Sequence, residues 1–459
     1  MDTIIADAGR TVAGGWPRTV LFLAPGAARK LRPGPVSTVR VSDHLSAALA
    51  ARLVDAGVAH LVLETLPGVA ESDLTVVVPV KDRPRQLDRL LASLAGRLRV
   101  IVVDDASVAP APVARICRAH GASLVSLTVN LGPGGARNAG LARVGTPYVA
   151  FVDSDVVVAP EDLLSLARHF ADPQVALVGP RIAGLASTNP NAIELYEADR
   201  SSLDLGSMPA LVRAFSPVSW MPAACLLARV DALGSGFEED LRVGEDVDLV
   251  WRLVSSGHRV RYEPAVCVRH EHRTVIGPWL ARKAEYGASA AQLALRHPGK
   301  VAPAVLAPWS AALVLALAAQ RRWSVPVAAV CGLAAIVKVR RRLDRAGEPG
   351  LLALRLVASG ARAALAQVAG LALRHWWPVS VVASVFSGRA RRALAVVAMG
   401  EALVSWARSE RRLGPFTFAL LRRADHCAYG FGLWRGALRE KSFRALAPIS
   451  SRAHQRGGG

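Results

Sequence analysis

Aromatic side chains make up only 5% of this 459-residue chain, which also holds just five cysteines and four methionines. Cys117, Cys225, Cys267, Cys331 and Cys427 are odd in number, far apart and without a Cys-x-x-Cys pair. That excludes a zinc ribbon and a disulfide framework, and it fits a reducing, cytosolic setting. The N-terminal MDTIIADAGRTVAGG has no basic segment leading into an apolar one, so no signal peptide is expected. Glycine is missing from Lys81-Asp82-Arg83-Pro84, the loop after the first long β-branched run, and no Gly-Lys-Ser/Thr follows the later glycine-rich loop. These two absences exclude a dinucleotide fingerprint and a Walker A loop. Acidic residues are scarce in one place only: residues 301 to 459 carry 24 Lys and Arg against 6 Asp and Glu, whereas residues 1 to 300 carry 32 against 30. The net charge of +20 therefore belongs to the C-terminal third, where it accompanies apolar runs. Such a pairing suits an anionic membrane surface and gives no reason to expect nucleic acid.

What is present divides into three zones. A composition of 52% apolar and 20% charged residues, with mean hydropathy +0.30, is too apolar for a disordered chain and too charged for a polytopic transporter. Residues 1–72 read as a small α+β module of short apolar runs and Gly/Pro turns, with a helix from His44 to Leu53. Residues 73–298 alternate strands and helices, the pattern of a mostly parallel sheet covered on both faces. Its expected strands are Leu74–Val80, Leu98–Val103, Leu124–Thr128 and Tyr148–Val152, with Leu87, Leu90, Leu91 and Leu94 at helical spacing and a helix from Pro112 to Ala119. Residues 299–459 read as an apolar, helical, arginine-rich region. Val301–Gln320 is uncharged over 20 residues, long enough in principle to span a bilayer, but eight are alanine and Pro303 and Pro308 would bend it. Trp323–Val337, the cationic run Lys338–Arg345, Trp376–Phe386 and Ala393–Met399 follow, flanked by Arg389, Arg391, Arg392, Arg411 and Arg412. They read as interfacial or re-entrant helices on the cytoplasmic face of the membrane; an Ala-rich bundle in a soluble domain is the alternative.

In an open α/β sheet the ligand site lies beyond the carboxyl ends of the strands, and three acidic clusters fall there. Asp104-Asp105 ends the second strand and Asp153-Ser154-Asp155 ends the fourth. Two carboxylates at the latter spacing suit a hard divalent cation, Mg²⁺ or Mn²⁺, which neutralises a leaving diphosphate. The segment from Gly132 to Asn138 offers backbone N–H groups at a helix start with Arg137 beside them, a diphosphate cradle or else a flexible turn with a surface arginine. Gly244-Glu245-Asp246 precedes an apolar helix face; one of its carboxylates, placed near a bound donor, would deprotonate an acceptor hydroxyl. Any one of these carboxylates alone would be explained as a helix cap, but not all three in this order.

VVVPVKDR, VVDDAS, NLGPGGARNAG, FVDSD and GEDVDLVWRL together resemble the family 2 glycosyltransferases, with the GT-A nucleotide-diphospho-sugar fold, over about residues 73 to 275. The three-part layout is similar to the branch of that family that serves mycofactocin biosynthesis. The resemblance implies that Pro79, Val80, Asp82, Asp104 and Asp105 hold the uracil and ribose of a UDP-sugar, and that Arg137 lies in the diphosphate region. It implies that Asp153 and Asp155 form the metal-binding Asp-x-Asp, that His270 adds a metal or phosphate contact, and that Asp246 is the base of an inverting transfer with Glu245 as its neighbour. By the same resemblance the donor is UDP-glucose, and the acceptor is a premycofactocin-type, tyrosine-derived peptide precursor that receives β-linked glucose. The N-terminal module reads either as a peptide-recognition winged helix or as a plain structural cap.

One departure matters. The Gln-x-x-Arg-Trp element of processive synthases is missing after the base, and Gln292 does not supply it. Channel-coupled polymer export is not expected, while stepwise addition of several sugars to one acceptor stays open. Competing readings are a membrane-associated glycosyltransferase of cell-wall or lipid glycan synthesis, a nucleotidyltransferase and a non-catalytic membrane-binding protein. A nucleotidyltransferase would want a glycine-rich loop after the first strand, and a binding protein would leave the acidic strand ends idle.

Overall fold

The computed structural model describes residues 3–15, 19–31, 38–343 and 348–451. The chain forms two compact units, one of residues 60–276 and one that joins residues 1–59 to 277–459. The boundary lies at His60, where composition had suggested residue 72. The intervening residues pack on the 60–276 unit: Arg168 donates to the Leu66 carbonyl (2.5 Å), Arg97 pairs with Glu71, and Val69 lies against the sheet core.

In the joined unit, strands β1 (Ile4–Ala6), β2 (Thr11–Gly14) and β3 (Thr19–Phe22) form an antiparallel sheet. A short helix, α1 (Pro25–Ala28), and a longer one, α2 (His44–Asp55), cover it. Asp43 caps α2 by accepting the Ser46 N–H. Leu49 and Leu53 of α2 meet Val12, Leu21 and Leu23 of the sheet.

The 60–276 unit is built on nine strands: β4 (Leu74–Val80), β5 (Arg99–Asp104), β6 (Ser123–Ser126), β7 (Tyr148–Val152), β8 (Val156–Val157), β9 (Val175–Gly184), β10 (Ala210–Leu211), β11 (Cys225–Arg229) and β12 (Arg259–His270). Their order is β10-β12-β9-β11-β7-β4-β5-β6, with β8 on the end of β12. The pairs among β6, β5, β4 and β7 are parallel, as is β9 with β12. β11 runs antiparallel between β7 and β9, so β4, β5, β7, β9 and β12 all end on one edge while β11 begins there. β4 and β7 have the bounds their apolar runs predict. Both are almost wholly buried, as strands covered on two faces must be.

The covering helices are α3 (Pro84–Ser93), α4 (Pro110–Ala119), α5 (Gly132–Leu141), α6 (Pro160–Ala167), α7 (Ala192–Arg200) and α8 (Glu245–Ser255). Leu87, Leu90 and Leu91 turn the apolar stripe of α3 into the core. α5 starts within the glycine-rich segment that composition assigned to a loop, because Pro133 sits at its first turn and needs no N–H partner there.

The helices of the other unit are α9 (Ile276–Arg296), α10 (Pro308–Ala318), α11 (Ser324–Arg340), α12 (Pro349–Gly370), α13 (Trp377–Phe386), α14 (Gly388–Ala407) and α15 (Pro415–Arg439). Gly432 of α15 lies so close to Ala284 of α9 that a Cβ would collide with its carbonyl, so the crossing depends on a residue without one. β2 packs through Ala13 against Leu352 and Ala353 of α12. The uncharged stretch Val301–Gln320 is not one long helix. Val305–Leu306 is a short strand, and the 11-residue α10 begins at Pro308, which fits a first helical turn but not a helix interior. Trp377–Phe386 and Ser324–Arg340 are helical close to where their apolar runs fall, and the cationic run from Lys338 is described as far as Leu343. Among the described residues one helical stretch, Pro349–His375, is long and apolar enough to cross a membrane.

Candidate active site

The strand-end edge collects the acidic clusters. Asp105 follows β5, and its two carboxylate oxygens accept the N–H groups of Leu131 (2.7 Å) and Gly132 (3.0 Å). Asn130 also accepts from the Gly132 N–H (2.9 Å). The Leu131 and Gly132 amides at the start of α5 are therefore taken from within the protein, which leaves Gly134 and Gly135 as the backbone donors of the glycine-rich segment next along the helix. Asp104, buried beside it, accepts the Ser107 N–H (3.0 Å). Asp82 is exposed and sits in the left-handed region at φ 55°. Its backbone donates to the Ser107 hydroxyl (2.9 Å) and its carboxylate accepts the Val108 N–H (2.8 Å). Pro79 and Val80 end β4 beside this pair of loops, and Val80 accepts the Asp105 N–H (2.9 Å). These ties fix the lip of the edge where the resemblance puts the nucleoside.

Arg137 reaches the Asp-x-Asp segment from α5. Its guanidinium is 2% exposed, donates to Asp153 (2.6 Å) and to Glu245 (2.8 Å), and lies 5.3 Å from the centre of the Phe237 ring. Burial alone would lower its pKa, but the two carboxylates outweigh that and keep it charged. Arg137 is thus a positioning residue that ties the end of β7 to the start of α8.

α8 begins after Gly244, whose φ of 94° is a conformation that glycine adopts without strain. Glu245, Asp246 and Asp248 fill its first turn, where the helix dipole favours negative charge. The Asp246 carboxylate is part-buried and accepts the N–H groups of Val247 (2.8 Å) and Ala223 (3.2 Å). Burial, with Glu245 adding to it, pushes its pKa up to about 7. A carboxyl group poised at neutrality in a cleft edge is suited to proton transfer. The segment ahead of it, Met221 and Ala223 to Cys225, is buried as strand and strand approach.

Asp155 lies where β8 returns along the end of β12, and its carbonyl accepts the Glu271 N–H (3.0 Å). This pairing brings Asp155 Oδ1 to 3.4 Å from His270 Nε2, while Oδ2 pairs with the Arg83 guanidinium. Asp153 commits Oδ1 to Arg137 and keeps about a third of its side chain exposed. Among the described residues no three carboxylate, imidazole or thiolate groups are already drawn together as a metal cage. Asp153, Asp155 and His270 are of the ligand types that Mn²⁺ or Mg²⁺ accepts, and each of the two carboxylates now meets a guanidinium, Arg137 on Asp153 and Arg83 on Asp155.

Two contributors were not singled out in the sequence. Arg83 could have been suspected, as a cation directly after β4 on the Asp155 edge. The Ala223 N–H carries no sequence signal, since any non-proline residue supplies one.

Glycosyl transferase family 2 matches residues 75–205, and Glycosyl transferase family group 2 matches residues 148–399. The chain belongs to glycosyltransferase family 2 and has its GT-A fold, with a helical C-terminal region. It is 41% identical over 459 aligned residues to the Pre-mycofactocin glycosyltransferase of Mycobacterium tuberculosis, covering 96% of this chain and 94% of that one. The N-acetylglucosaminyl-diphospho-decaprenol L-rhamnosyltransferase of the same organism is 30% identical over 272 residues, covering 50% of this chain and 86% of that one. Succinoglycan biosynthesis protein ExoO of Rhizobium meliloti is 30% identical over 190 residues, covering 39% and 54%.

The bridge predicts a specific loss. Arg137→Met strands two carboxylates without their cation, and by the cost of breaking a buried pair it should remove about 3–5 kcal/mol of stability in denaturant titrations. A loss below about 1 kcal/mol, the size of a surface pair, would contradict the bridge.

Proposed function

We propose that this chain transfers glucose from UDP-glucose to a hydroxyl of a premycofactocin-type acceptor, with inversion at the anomeric carbon. The observation that carries the reading is Asp246, a carboxylate held by two backbone N–H groups and poised at a pKa of about 7 beside the strand-end edge. Its support for this acceptor is the near full-length likeness to the Mycobacterium tuberculosis protein and that protein's name. Asp246 takes the acceptor hydroxyl proton as that oxygen bonds to the anomeric carbon, and the bond from that carbon to the diphosphate breaks, releasing UDP. A single displacement of this kind inverts the centre. Arg137 and Glu245 hold the base helix and the end of β7 in register, and the backbone ties of Asp105 and Asp82 keep the donor lip rigid. A divalent cation, Mn²⁺ or Mg²⁺, held by Asp155 and His270 with Asp153 would supply neutralisation of the departing diphosphate.

The lipid-linked relative favours a second reading, transfer to a lipid glycan. Mass spectrometry separates the two: premycofactocin incubated with protein, Mn²⁺ and UDP-glucose should gain one anhydrohexose or several, and a polyprenyl-diphosphate sugar should gain none. The reverse outcome would overturn the acceptor. In the same assay, a base that must be ionised makes kcat/KM fall about tenfold per pH unit below about 7. Asp246→Asn should lower kcat by on the order of 10² or more and remove that limb while UDP binding persists. Retained turnover would take Asp246 out of the base role.

We place the protein against anionic lipid on the cytoplasmic side of the membrane. The support is that Leu315, Val325, Val385, Phe386, Val396 and Met399 stand exposed on α10, α11, α13 and α14, whose ends and connections carry the exposed Arg321, Arg322, Arg389, Arg391, Arg392 and Arg412. The intact chain should sediment with phosphatidylglycerol vesicles and dissociate as salt is raised. Staying in the supernatant at low salt would contradict this placement.

A further inference from the structure

The helical unit contains a cationic cluster that the transfer reaction does not use. At the end of α12 the backbone widens into a π-helical turn, Leu371–His375, and the Trp376 N–H closes onto the Leu371 carbonyl (2.7 Å). Such turns occur most often at functional sites. α15 presses directly on this turn: a Cβ on Gly430 would collide with the Arg374 carbonyl and the Trp377 ring, and the Trp434 indole donates to the His375 carbonyl (2.8 Å). The Arg374 guanidinium stacks on Tyr429 at 3.7 Å from the ring centre. One helical turn earlier on α15 His426, and two turns earlier Arg422 and Arg423, share the side of Tyr429 and Gly430.

Two carboxylates accompany these cations, Glu401 of α14 and the buried Asp425 of α15. Glu401 of α14 takes Arg422 through 2.8 and 2.9 Å contacts and also pairs with Arg423. Among the described residues no carboxylate pairs with Arg374. The Nε and Nη1 atoms of Arg423, Nε of Arg374 and Nδ1 of His426 are buried without a hydrogen-bond partner, and His426 is only 4% exposed. Burial, then the neighbouring Arg422, Arg374 and Arg423, holds the His426 pKa below the usual histidine range. Buried donors are almost always satisfied, so the unpartnered guanidinium nitrogens of Arg374 and Arg423 are costly unless something supplies acceptors. The Arg422 and Arg423 side chains are 21% and 28% exposed, so the cluster lies close to the protein surface.

We propose that the π-helical turn and α15 form a binding site for a phosphate-type oxyanion, held by Arg374, Arg423 and His426. A tetrahedral oxyanion brings several acceptors and the negative charge, and guanidinium forks match its geometry. Two sources carry this chemistry: free phosphate and the phosphodiester head of an anionic lipid. The proposal concerns the helical unit alone and does not depend on the donor or acceptor of the transfer.

Calorimetry on the full chain, titrated separately with inorganic phosphate and with soluble dihexanoyl-phosphatidylglycerol, tests it. Saturable one-to-one binding of either probe is expected, and tighter binding of the lipid would identify a headgroup site. Arg374→Gln and Arg423→Gln should each weaken that binding by about tenfold or more, as loss of a charge-assisted contact does. Arg374→Gln breaks no ion pair, so its fold should persist, and phosphorus NMR line broadening with the unaltered chain gives a reading that needs no variant. Absence of saturable binding by both probes, or unchanged affinity in both variants, would overturn the site.

Discussion

The buried guanidinium of Arg137 is the interaction on which the catalytic unit most depends. It is nearly inaccessible to water and joins Asp153, at the end of a central strand, to Glu245, at the start of the helix that carries Asp246. Charges this deep are stable only when paired, so the strand end and the helix start are held in one geometry. The consequence for chemistry is positional. The proposed donor-side carboxylates and the proposed base come from segments about ninety residues apart, and one side chain sets their separation.

The same crowding explains the state of Asp246. Arg137 is shared between Asp153 and Glu245, and Glu245 adds its negative charge to the burial of Asp246. Two backbone N–H groups pull the other way, and the outcome is a carboxyl group near neutrality. On the far side of the edge, Asp155 meets His270 and Arg83, so its negative charge is met by a guanidinium that a cation-bound donor would have to displace or share.

Much of this was legible from local pattern. β4 and β7 begin and end where their continuous β-branched and apolar runs do, because strands buried on both faces have no polar alternation to blur their limits. Asp104-Asp105 and Asp153-Ser154-Asp155 stand at the ends of β5 and β7, where their apolar runs stop, while Glu245-Asp246 opens α8 and ends no strand. The roles of individual side chains were less legible. Arg137 and the glycine-rich segment read as a phosphate cradle from spacing, but spacing carries no information about Asp105, which takes the Leu131 and Gly132 amides at the start of α5. In the helical unit, apolar run length misled at Val301–Gln320, where Pro308 starts a helix, and passed over Pro349–His375, whose arginines interrupt the run without ending the helix. The packing of Ala13 against Leu352 and Ala353, which draws the N-terminal strands into that unit, is a long-range contact with no local signature.

The claim that one arginine couples strand end to base helix is tested most directly by a double-mutant cycle on stability, combining Arg137→Met with Glu245→Gln. If the two side chains act as one buried unit, the double variant should be more stable than the sum of the single losses predicts, by about 1–3 kcal/mol. Losses that add within about 0.5 kcal/mol would mean that the two are independent and that the register of the site is set elsewhere.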